Sequence, residues 1–333
     1  MGALDFTRTG GKPDNSLTAI SMFPGAFRGK VINVTWAQLQ PTAQRFVPDA
    51  IDAALSDIAT YNANHPDAPL LAKLRVSVGG STPDWVKQIG GPIAVIHQPS
   101  GSAPIGVTVG AFWSQPYIQV WRTLQGMLAM QYDANPLIAV VASSSCATIT
   151  DEPFVLPLAK PSSTNLIAAG FTDAAYRDCL IYQTDDYAAW KSTRIEVTYN
   201  PYHLIQAGTA IQDDAVTVQA IDQCRAALGE RCVLGNHCLG RCEGEANFGP
   251  IYARIRQLGA PIGLQTAAPT WLTLDPARWN ATLTTGINDG AASIEIWPRG
   301  FTQYLQSTVQ QWAALFPVGN GAATAPVVAP ASV

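Results

Sequence analysis

Short apolar segments alternate with amphipathic segments along most of this 333-residue chain, and this alternation constrains the fold more than any other feature. Apolar runs bounded by glycine, proline and polar residues are typical of buried strands. Apolar residues spaced three and four apart are typical of helices. Regular alternation of the two is characteristic of a parallel sheet whose strands are joined by crossover helices. Strands are predicted in eight segments, namely residues 29–36, 72–80, 92–112, 136–144, 192–200, 231–237, 260–268 and 292–298.

Eight strand–helix pairs predict an α/β protein with a (β/α)8 TIM barrel, formed as a single domain over residues 1–317. The third strand is placed within residues 92–112, where Gly, Pro and Ser residues predict a hairpin-like excursion. The small, uncharged segment 318–333 is predicted to be a disordered tail or the stump of a linker. An open doubly wound sheet is the alternative, but residues 31–41 lack the glycines of a dinucleotide-binding fingerprint.

The composition restricts the partners of the chain. Apolar residues make up 47%, charged residues 13%, and the formal net charge is −4. Nucleic-acid binding needs a clustered basic face, and without any Lys/Arg run no nucleic-acid partner is expected. No apolar stretch reaches the roughly eighteen residues of a membrane helix, so no membrane insertion is expected. Polar sequence follows Met1, so we expect any signal peptide to be absent from this chain. The sequence carries no prediction of oligomeric state.

Six cysteines, four of them within residues 224–242, predict disulfide bonds. Their positions favour the pairs Cys224–Cys232 across a helix-to-strand turn, Cys238–Cys242 across a loop, and Cys146–Cys179 as the remainder. An even number permits complete pairing, although other connectivities are open. Disulfides would place the protein outside the cytosol, secreted or at the cell surface or in the periplasm. Free thiols are one alternative, and a zinc site that begins at Cys238-x3-Cys242 is the other.

Polar and aromatic side chains collect where the predicted strands end, which is the active-site face of a (β/α)8 barrel. They are Trp36, Gln38, Arg75, Trp113, Asp151, Glu152, Tyr199, His203, Asn236, His237, Gln265, Glu295 and Trp297. Aromatic faces stack on the C–H surfaces of sugars, while amides and acids bind hydroxyl groups. The set therefore suits a neutral polyhydroxylated ligand. Trp36, Trp113 and Trp297 are each as compatible with the core as with a sugar platform, whereas Trp121, Trp190 and Trp312 are predicted to be core.

The first 155 or so residues resemble clan A glycoside hydrolases, the enzymes related to family 5 cellulases and family 42 galactosidases. The segment "VTWAQLQP" is similar to their W-x-x-L/I-x-P opening, and "LRVSVGGSTPDWV" to their arginine-bearing second strand and the P-x-W after it. Residues 111–141 are similar to their third loop, helix and fourth strand. The resemblance implies a (β/α)8 barrel that hydrolyses a carbohydrate substrate without a cofactor or a metal.

In clan A enzymes the fourth strand leads to Asn-Glu-Pro, whose glutamate is the general acid/base. The matching residues here are Asp151-Glu152-Pro153, so the resemblance implies that Glu152 is the acid/base. That role requires a raised pKa, which we expect from an apolar rim and from the second carboxylate. The asparagine of the family pattern is replaced by Asp151, which alters the hydrogen bond offered to a sugar hydroxyl.

The second carboxylate departs from the family pattern. Clan A enzymes carry their nucleophilic glutamate at the end of strand 7, where this chain has Gln265. Glu295 lies between isoleucines in "ASIEIWP", and because strand residues alternate between faces, it is predicted to point into the barrel. We predict that Glu295 is the nucleophile, with a structural ion pair, for instance to Arg75, as the alternative. Retention is favoured over inversion.

Other acids and other functions remain open at this point. Glu196 is predicted to be a buried structural partner, and Glu243 and Glu245 are fallback nucleophiles. The favoured interpretation is a glycoside hydrolase that cleaves a poly- or oligosaccharide with two glutamates. One alternative is a non-catalytic carbohydrate-binding barrel, which Gln265 would suit. The other is a metal-dependent hydrolase or isomerase that uses His203 and His237.

Overall fold

A computed structural model gives the architecture, and it describes residues 3–5, 7–9, 12–97, 105–148, 152–155, 160–206, 211–267, 275–297 and 301–316. The strands are β1 (Ala3–Asp5), β2 (Thr7–Thr9), β3 (Lys12–Asp14), β4 (Gly29–Thr35), β5 (Leu71–Ser77), β6 (Ile93–His97), β7 (Ile105–Val109), β8 (Ile138–Ala142), β9 (Arg194–Thr198), β10 (Cys232–Leu239), β11 (Ile262–Thr266) and β12 (Ala291–Ile296). The predicted tail, residues 318–333, lies outside the described residues.

Helices follow most of the strands, as the alternation in the sequence predicts. They are α1 (Thr18–Ser21), α2 (Trp36–Leu39), α3 (Asp49–Asn64), α4 (Asp84–Lys87), α5 (Gln115–Tyr132), α6 (Lys160–Ala168), α7 (Asp173–Tyr182), α8 (Asp214–Leu228), α9 (Gly249–Leu258), α10 (Pro276–Asn288) and α11 (Gln306–Ala314). Local signals set their ends: the hydroxyl of Thr172 accepts from the backbone of Ala175 and caps α7, and Asp213 caps α8 in the same way.

Eight strands form one parallel sheet in the order β1-β12-β11-β10-β9-β8-β5-β4. Strand β1 also lies beside β4, which brings the two ends of the sheet together. The predicted (β/α)8 fold is therefore confirmed. Its core is built from the outward faces of the strands and the inner faces of the helices. Trp121, Trp190 and Trp312 lie there, as predicted.

The predicted third barrel strand is wrong. Residues 93–97 and 105–109 form an antiparallel hairpin, β6–β7, which is a separate two-stranded sheet. Strands joined by a short connection pair antiparallel, whereas entry into the parallel sheet needs a long crossover. The missing barrel strand is β1, which pairs with β12 and is only three residues long. So short a strand shows no periodicity, which is why the sequence does not reveal it.

Three disulfides tie loops to the barrel, and all three predicted pairs are confirmed. Cys146 after β8 bonds to Cys179 on α7, Cys224 of α8 bonds to Cys232 of β10, and Cys238 of β10 bonds to Cys242. No cysteine of the chain is left free. Among the helices that the structure describes, none combines the length and the hydropathy that a bilayer-spanning helix needs.

Thiol titration tests the disulfides. In denaturant without reductant the protein should show no titratable thiol, and after reduction it should show all six cysteines. Six reactive thiols before reduction would contradict the pairing and the extracellular setting that it suggests.

Candidate active site

Two cations and two carboxylates occupy the interior of the barrel. Successive strand residues point to opposite faces, so Lys73 and Arg75 on β5 both point inward, as do Glu196 on β9 and Glu295 on β12. Their side chains are between 1% and 4% exposed. Charges this deeply buried are tolerated only when they are paired and hydrogen-bonded.

The four charges are paired with one another. Arg75 binds Glu295 with both guanidinium nitrogens, Nη1 to Oε1 at 2.9 Å and Nη2 to Oε2 at 2.6 Å. Lys73 donates to Oε2 of Glu295 at 3.1 Å and also to Oε1 of Glu196. Lys73 therefore bridges the two carboxylates and links β5 to β9 and β12.

Glycines on the neighbouring strands make room for Glu196. A Cβ added at Gly263 of β11 would lie 2.5 Å from Oε2 of Glu196, and one at Gly235 of β10 would lie 3.3 Å from its Cγ. The glycines in "VLGNH" and "PIGLQ" thus provide the space that the side chain of Glu196 occupies inside the barrel.

The cations keep both buried carboxylates ionised. Burial alone raises the pKa of Glu295, but the charges of Arg75, Lys73 and His237 outweigh it and lower that pKa to about 2. Burial likewise raises the pKa of Glu196, but Lys73 and His237 lower it to about 2. These two side chains are carboxylates at any pH at which the protein functions.

His237 connects the buried charges to the mouth of the barrel. In its protonated form Nδ1 donates to Oε1 of Glu152 at 3.1 Å, and Nε2 donates to Oγ1 of Thr198 at 3.0 Å. The Nε2 atom also lies 3.8 Å from Oε1 of Glu196. One imidazole, 7% exposed, thus stands between a buried carboxylate and one at the surface of the site.

Glu152 is the carboxylate at the mouth, with a side chain that is 21% exposed. The amide of Asn200, just after β9, donates to its Oε2 at 2.7 Å. The backbone on both sides is anchored: Cys146, held by its disulfide, has a positive φ of 64°, and the backbone N–H of Val155 donates to the hydroxyl of Tyr176 at 3.0 Å. These contacts hold Cys146 and Val155, on either side of Glu152, in place.

The expected rise in the pKa of Glu152 is wrong. Burial raises it, but the charge of His237, the hydrogen bonds from His237 and Asn200, and the charge of Arg75 hold the pKa of Glu152 below its ordinary value. In return, although burial lowers the pKa of His237, the charge of Glu152 and the hydrogen bonds to Glu152 and Glu196 raise it above 6.5. When the pair holds a single proton, that proton therefore resides on the imidazole.

The structure brings four of the predicted site residues into one network, namely Glu152, His237, Arg75 and Glu295. Gln265 joins the same face, because it pairs in register with Glu295 across β11 and β12. Its side chain is buried, and its amide makes no hydrogen bond to a described residue. Asp151 lies outside the described residues.

Three predicted substrate contacts are directed elsewhere. Trp36 is fully buried against Tyr117 and Trp121, and we assign it to the core. Asn236 is also fully buried, and its amide is used by the backbone of Tyr199 and by the backbone of Cys238. The ring of Tyr199 is 3% exposed, near charges on α8, so it faces the helices and not the barrel interior.

The remaining predicted residues lie at the rim. Trp297 is half-buried and donates its indole N–H to the backbone oxygen of Thr266, and half-buried Trp113 packs on Phe171. Gln38 is exposed on α2, where its side-chain oxygen closes a capping box with Thr35. His203 lies in the loop after β9 and forms an isolated bridge with Gln212. In the described parts of the chain, no group of three or more His, Cys, Asp and Glu is arranged to hold a metal ion.

Sequence reasoning missed Lys73 and Thr198, and it did not single out Asn200 within the segment 199–203 after β9. Lys73 carries a usable signal, because in "AKLRV" it is two residues from Arg75 and must therefore face the same side of the strand. Glu196 is confirmed as a buried structural partner. Glu243 and Glu245 lie outside this network: Glu243 accepts from the backbone of Gly240, and Glu245 is half-exposed beside Arg241.

Comparison with known proteins identifies the fold. No protein-family model matches the chain, and no curated protein sequence matches it. Endoglycoceramidase II from Rhodococcus sp. superimposes with a TM-score of 0.55 at 13% identity, covering 92% of this chain and 77% of that chain. Its lactosyl-enzyme intermediate gives 0.53 at 11% identity, with 89% and 72% covered. A β-galactosidase from Bacillus circulans sp. alkalophilus gives 0.49 at 10% identity, with 85% and 47% covered.

At such identities the likeness to the endoglycoceramidase structures establishes architecture. The chain has the (β/α)8 fold found in clan A glycoside hydrolases, as the resemblance in its first half implies.

The coupling of His237 to Glu152 can be tested by NMR titration of the imidazole. We expect a pKa above 6.5 in the folded protein, and we expect Glu152→Gln to lower it by about 1 or more, because a neighbouring opposite charge is lost. The pair therefore stabilises the fold fully between the ordinary pKa values of 4.5 for Glu and 6.5 for His, and its contribution is lost as the pH rises through the raised pKa of His237 or falls through the lowered pKa of Glu152. Glu230→Gln, at an exposed turn, is the matched control. An unchanged pKa in Glu152→Gln would contradict the coupling.

Proposed function

We propose that the protein is an extracellular glycoside hydrolase that uses Glu152 as acid/base and Glu295 as nucleophile. One observation carries the proposal: among the carboxylates of the barrel network, Glu152 alone is accessible, and the imidazole of His237 lies directly behind it at hydrogen-bonding distance. The (β/α)8 fold, the matching Asp151-Glu152-Pro153 segment and the three disulfides support the same assignment. No step of this chemistry calls for a cofactor.

The leaving-group proton is stored on His237. Because Glu152 is ionised in the resting protein, it cannot act alone as a general acid. Transfer from Nδ1 of His237 to Oε1 of Glu152, along a hydrogen bond of 3.1 Å, would protonate the carboxylate as the substrate excludes water. The two groups thus titrate as a pair, and the pair is the general acid.

Glu295 has the charge that a nucleophile needs. Arg75 and Lys73 hold it ionised and fix both oxygens, which use three of the roughly four lone-pair positions of a carboxylate. The remaining position can attack an anomeric carbon that enters the barrel mouth. In-register Gln265 lies beside it and can bind a sugar hydroxyl.

The proposed reaction has two steps. In the first, an oxygen of Glu295 bonds to the anomeric carbon while the glycosidic C–O bond breaks, and the leaving oxygen takes the proton from Glu152. In the second, water attacks the anomeric carbon, its proton returns to Glu152 and then to His237, and Glu295 leaves. Two displacements retain the configuration. The lactosyl-enzyme intermediate of the endoglycoceramidase supports a covalent route by analogy of fold.

A non-catalytic carbohydrate-binding barrel is the second candidate. The observations that favour it are the 1% exposure of Glu295, with its oxygens bound to two cations, and Gln265 on β11, the strand on which clan A enzymes carry their nucleophile. Such a protein would bind oligosaccharides in the same cleft without releasing products.

Replacing each glutamate by glutamine separates the two candidates. Glu152→Gln should reduce hydrolysis of natural glycosides by about two orders of magnitude or more, the scale of general acid–base catalysis. An aryl glycoside with a good leaving group needs less protonation, so its first step should be affected less, and azide should restore turnover. Glu295→Gln should abolish hydrolysis of both substrates, because a better leaving group does not replace a nucleophile.

Stability must be measured alongside activity. Removing one partner of a buried ion pair costs about 3–5 kcal/mol, so Glu295→Gln is to be assayed well below its own unfolding midpoint. Glu230→Gln is the matched control for both variants. Full activity of folded Glu152→Gln would contradict its role, and full activity of folded Glu295→Gln would make that residue structural.

A further inference from the structure

A second feature of the barrel mouth is an open groove of about 580 Å³, which we call the Trp85 groove. This volume falls within the roughly 300–1,000 Å³ that is typical of small-molecule sites. Its walls are residues 35–44 after β4 and residues 80–87 after β5. Glu152, His237 and Glu295 are not among the residues that line it, so the groove lies beside the catalytic network.

The lining chemistry suits a neutral sugar. Trp85, which is half-buried and packs against the core, offers the exposed part of its ring as an aromatic surface, and Thr35, Thr42, Gln44 and Ser81 add hydroxyl and amide groups. Aromatic surface with a few polar groups is the usual composition of a site that binds a polar but uncharged ligand.

The groove carries no net charge that would select an ion. Its acid and its base, Asp84 and Lys87, lie 3.6 Å apart and compensate each other. This lining offers no unpaired cation to a phosphorylated or carboxylated ligand, and a neutral oligosaccharide does not require one.

Side-chain hydrogen bonds hold the wall in shape. The indole of Trp85 donates to the backbone oxygen of Gln40 at 3.0 Å, and the indole of Trp36 donates to the side-chain oxygen of Gln40 at 3.1 Å. The amide of Gln40 in turn donates to the backbone oxygen of Ala43 at 3.2 Å. Because this wall is already ordered, a ligand can bind without the entropic cost of ordering a loop.

The floor of the groove is fixed to the segment that leads to Glu152. The backbone N–H of Gly80 donates to the backbone oxygen of Thr148 at 2.9 Å. Gly79 has a φ of +58°, and a Cβ there would lie 2.1 Å from the same oxygen, so only glycine permits this contact. Strands β5 and β8, which precede Gly80 and Thr148, are neighbours in the sheet, and Glu152 follows Thr148 by four residues in the sequence.

We propose that the Trp85 groove binds neutral sugar units of an extended oligosaccharide whose scissile bond lies at Glu152. The inference rests on the proposed function and adds to it that the substrate is a chain and not a single glycoside. Binding energy gained in the groove would position the bond to be cleaved.

Binding to the Glu152→Gln protein tests this without requiring hydrolysis. The probes are cello-, chito- and galacto-oligosaccharides, from disaccharide to hexasaccharide, measured by calorimetry. For the series that binds, affinity should rise with chain length. Trp85→Ala should weaken hexasaccharide binding about tenfold or more, the scale of one stacked aromatic, and should leave disaccharide binding unchanged. Gln44→Ala, at an exposed turn, should also weaken hexasaccharide binding and should leave the fold unchanged.

The outcomes separate the groove from the proposed activity. Gln119→Ala, on the exposed face of α5, is the matched control and should bind like its parent. The inference would be overturned if the groove variants lost affinity for the disaccharide and the hexasaccharide equally, or if neither variant lost affinity. It would also be overturned if no probe bound. Length-dependent binding through the groove by a protein that hydrolyses nothing would support the groove and refute the proposed hydrolase.

Discussion

The ion pairs between Arg75 and Glu295 and between Lys73 and Glu196 constrain everything else in this barrel. A charge this far from water is costly unless its partner is placed within hydrogen-bonding distance. The pairs join β5 to β9 and β12 through the barrel interior, so strand register, inward orientation and the glycines at 235 and 263 must all agree. A barrel interior packed only with aliphatic side chains would not require these ion pairs or the two glycines. The barrel interior therefore holds a network of paired charges in place of aliphatic layers.

The network extends outward until it meets solvent. Protonated His237 balances the charge of Glu152, just as Arg75 and Lys73 balance Glu295 and Glu196. The sum is neutral only while His237 keeps its proton, so the carboxylate at the mouth and the proton behind it depend on each other. Glu295 is an ionised carboxylate inside the barrel, and the Glu152–His237 pair at the entrance is the proposed proton source. Glycoside hydrolysis by two carboxylates uses one as nucleophile and the other as general acid.

Much of this could be predicted from the sequence, because the features with strong local signals are the ones that folded as expected. The amphipathic helices, seven of the eight strand segments, the cysteine pairs and the position of Glu152 all follow from patterning or from a family motif.

The predictions that fail have physical causes. The β6–β7 hairpin has the composition of a barrel strand but not its long crossover connections, and β1 is too short to show periodicity. Trp36, Tyr199 and Asn236 were placed at strand ends correctly but on the wrong face, since one residue of offset reverses the direction of a side chain. The lowered pKa of Glu152 depends on Asn200 and His237, which come from two other strands, and no single segment reveals that meeting.

In the proposed reaction, Glu152 at the barrel mouth and Glu295 inside the barrel cleave a glycosidic bond by double displacement. Proton NMR of the products released from plant, microbial and algal polysaccharides tests it most directly, because the anomeric signal of each new reducing end is resolved before mutarotation. We expect new reducing ends to form, and we expect the first-formed anomer to have the configuration of the bond that was cleaved. An inverted first product would contradict the role of Glu295 as nucleophile. The absence of any new reducing end, from polymers that the protein binds, would contradict the hydrolase and leave a carbohydrate-binding barrel.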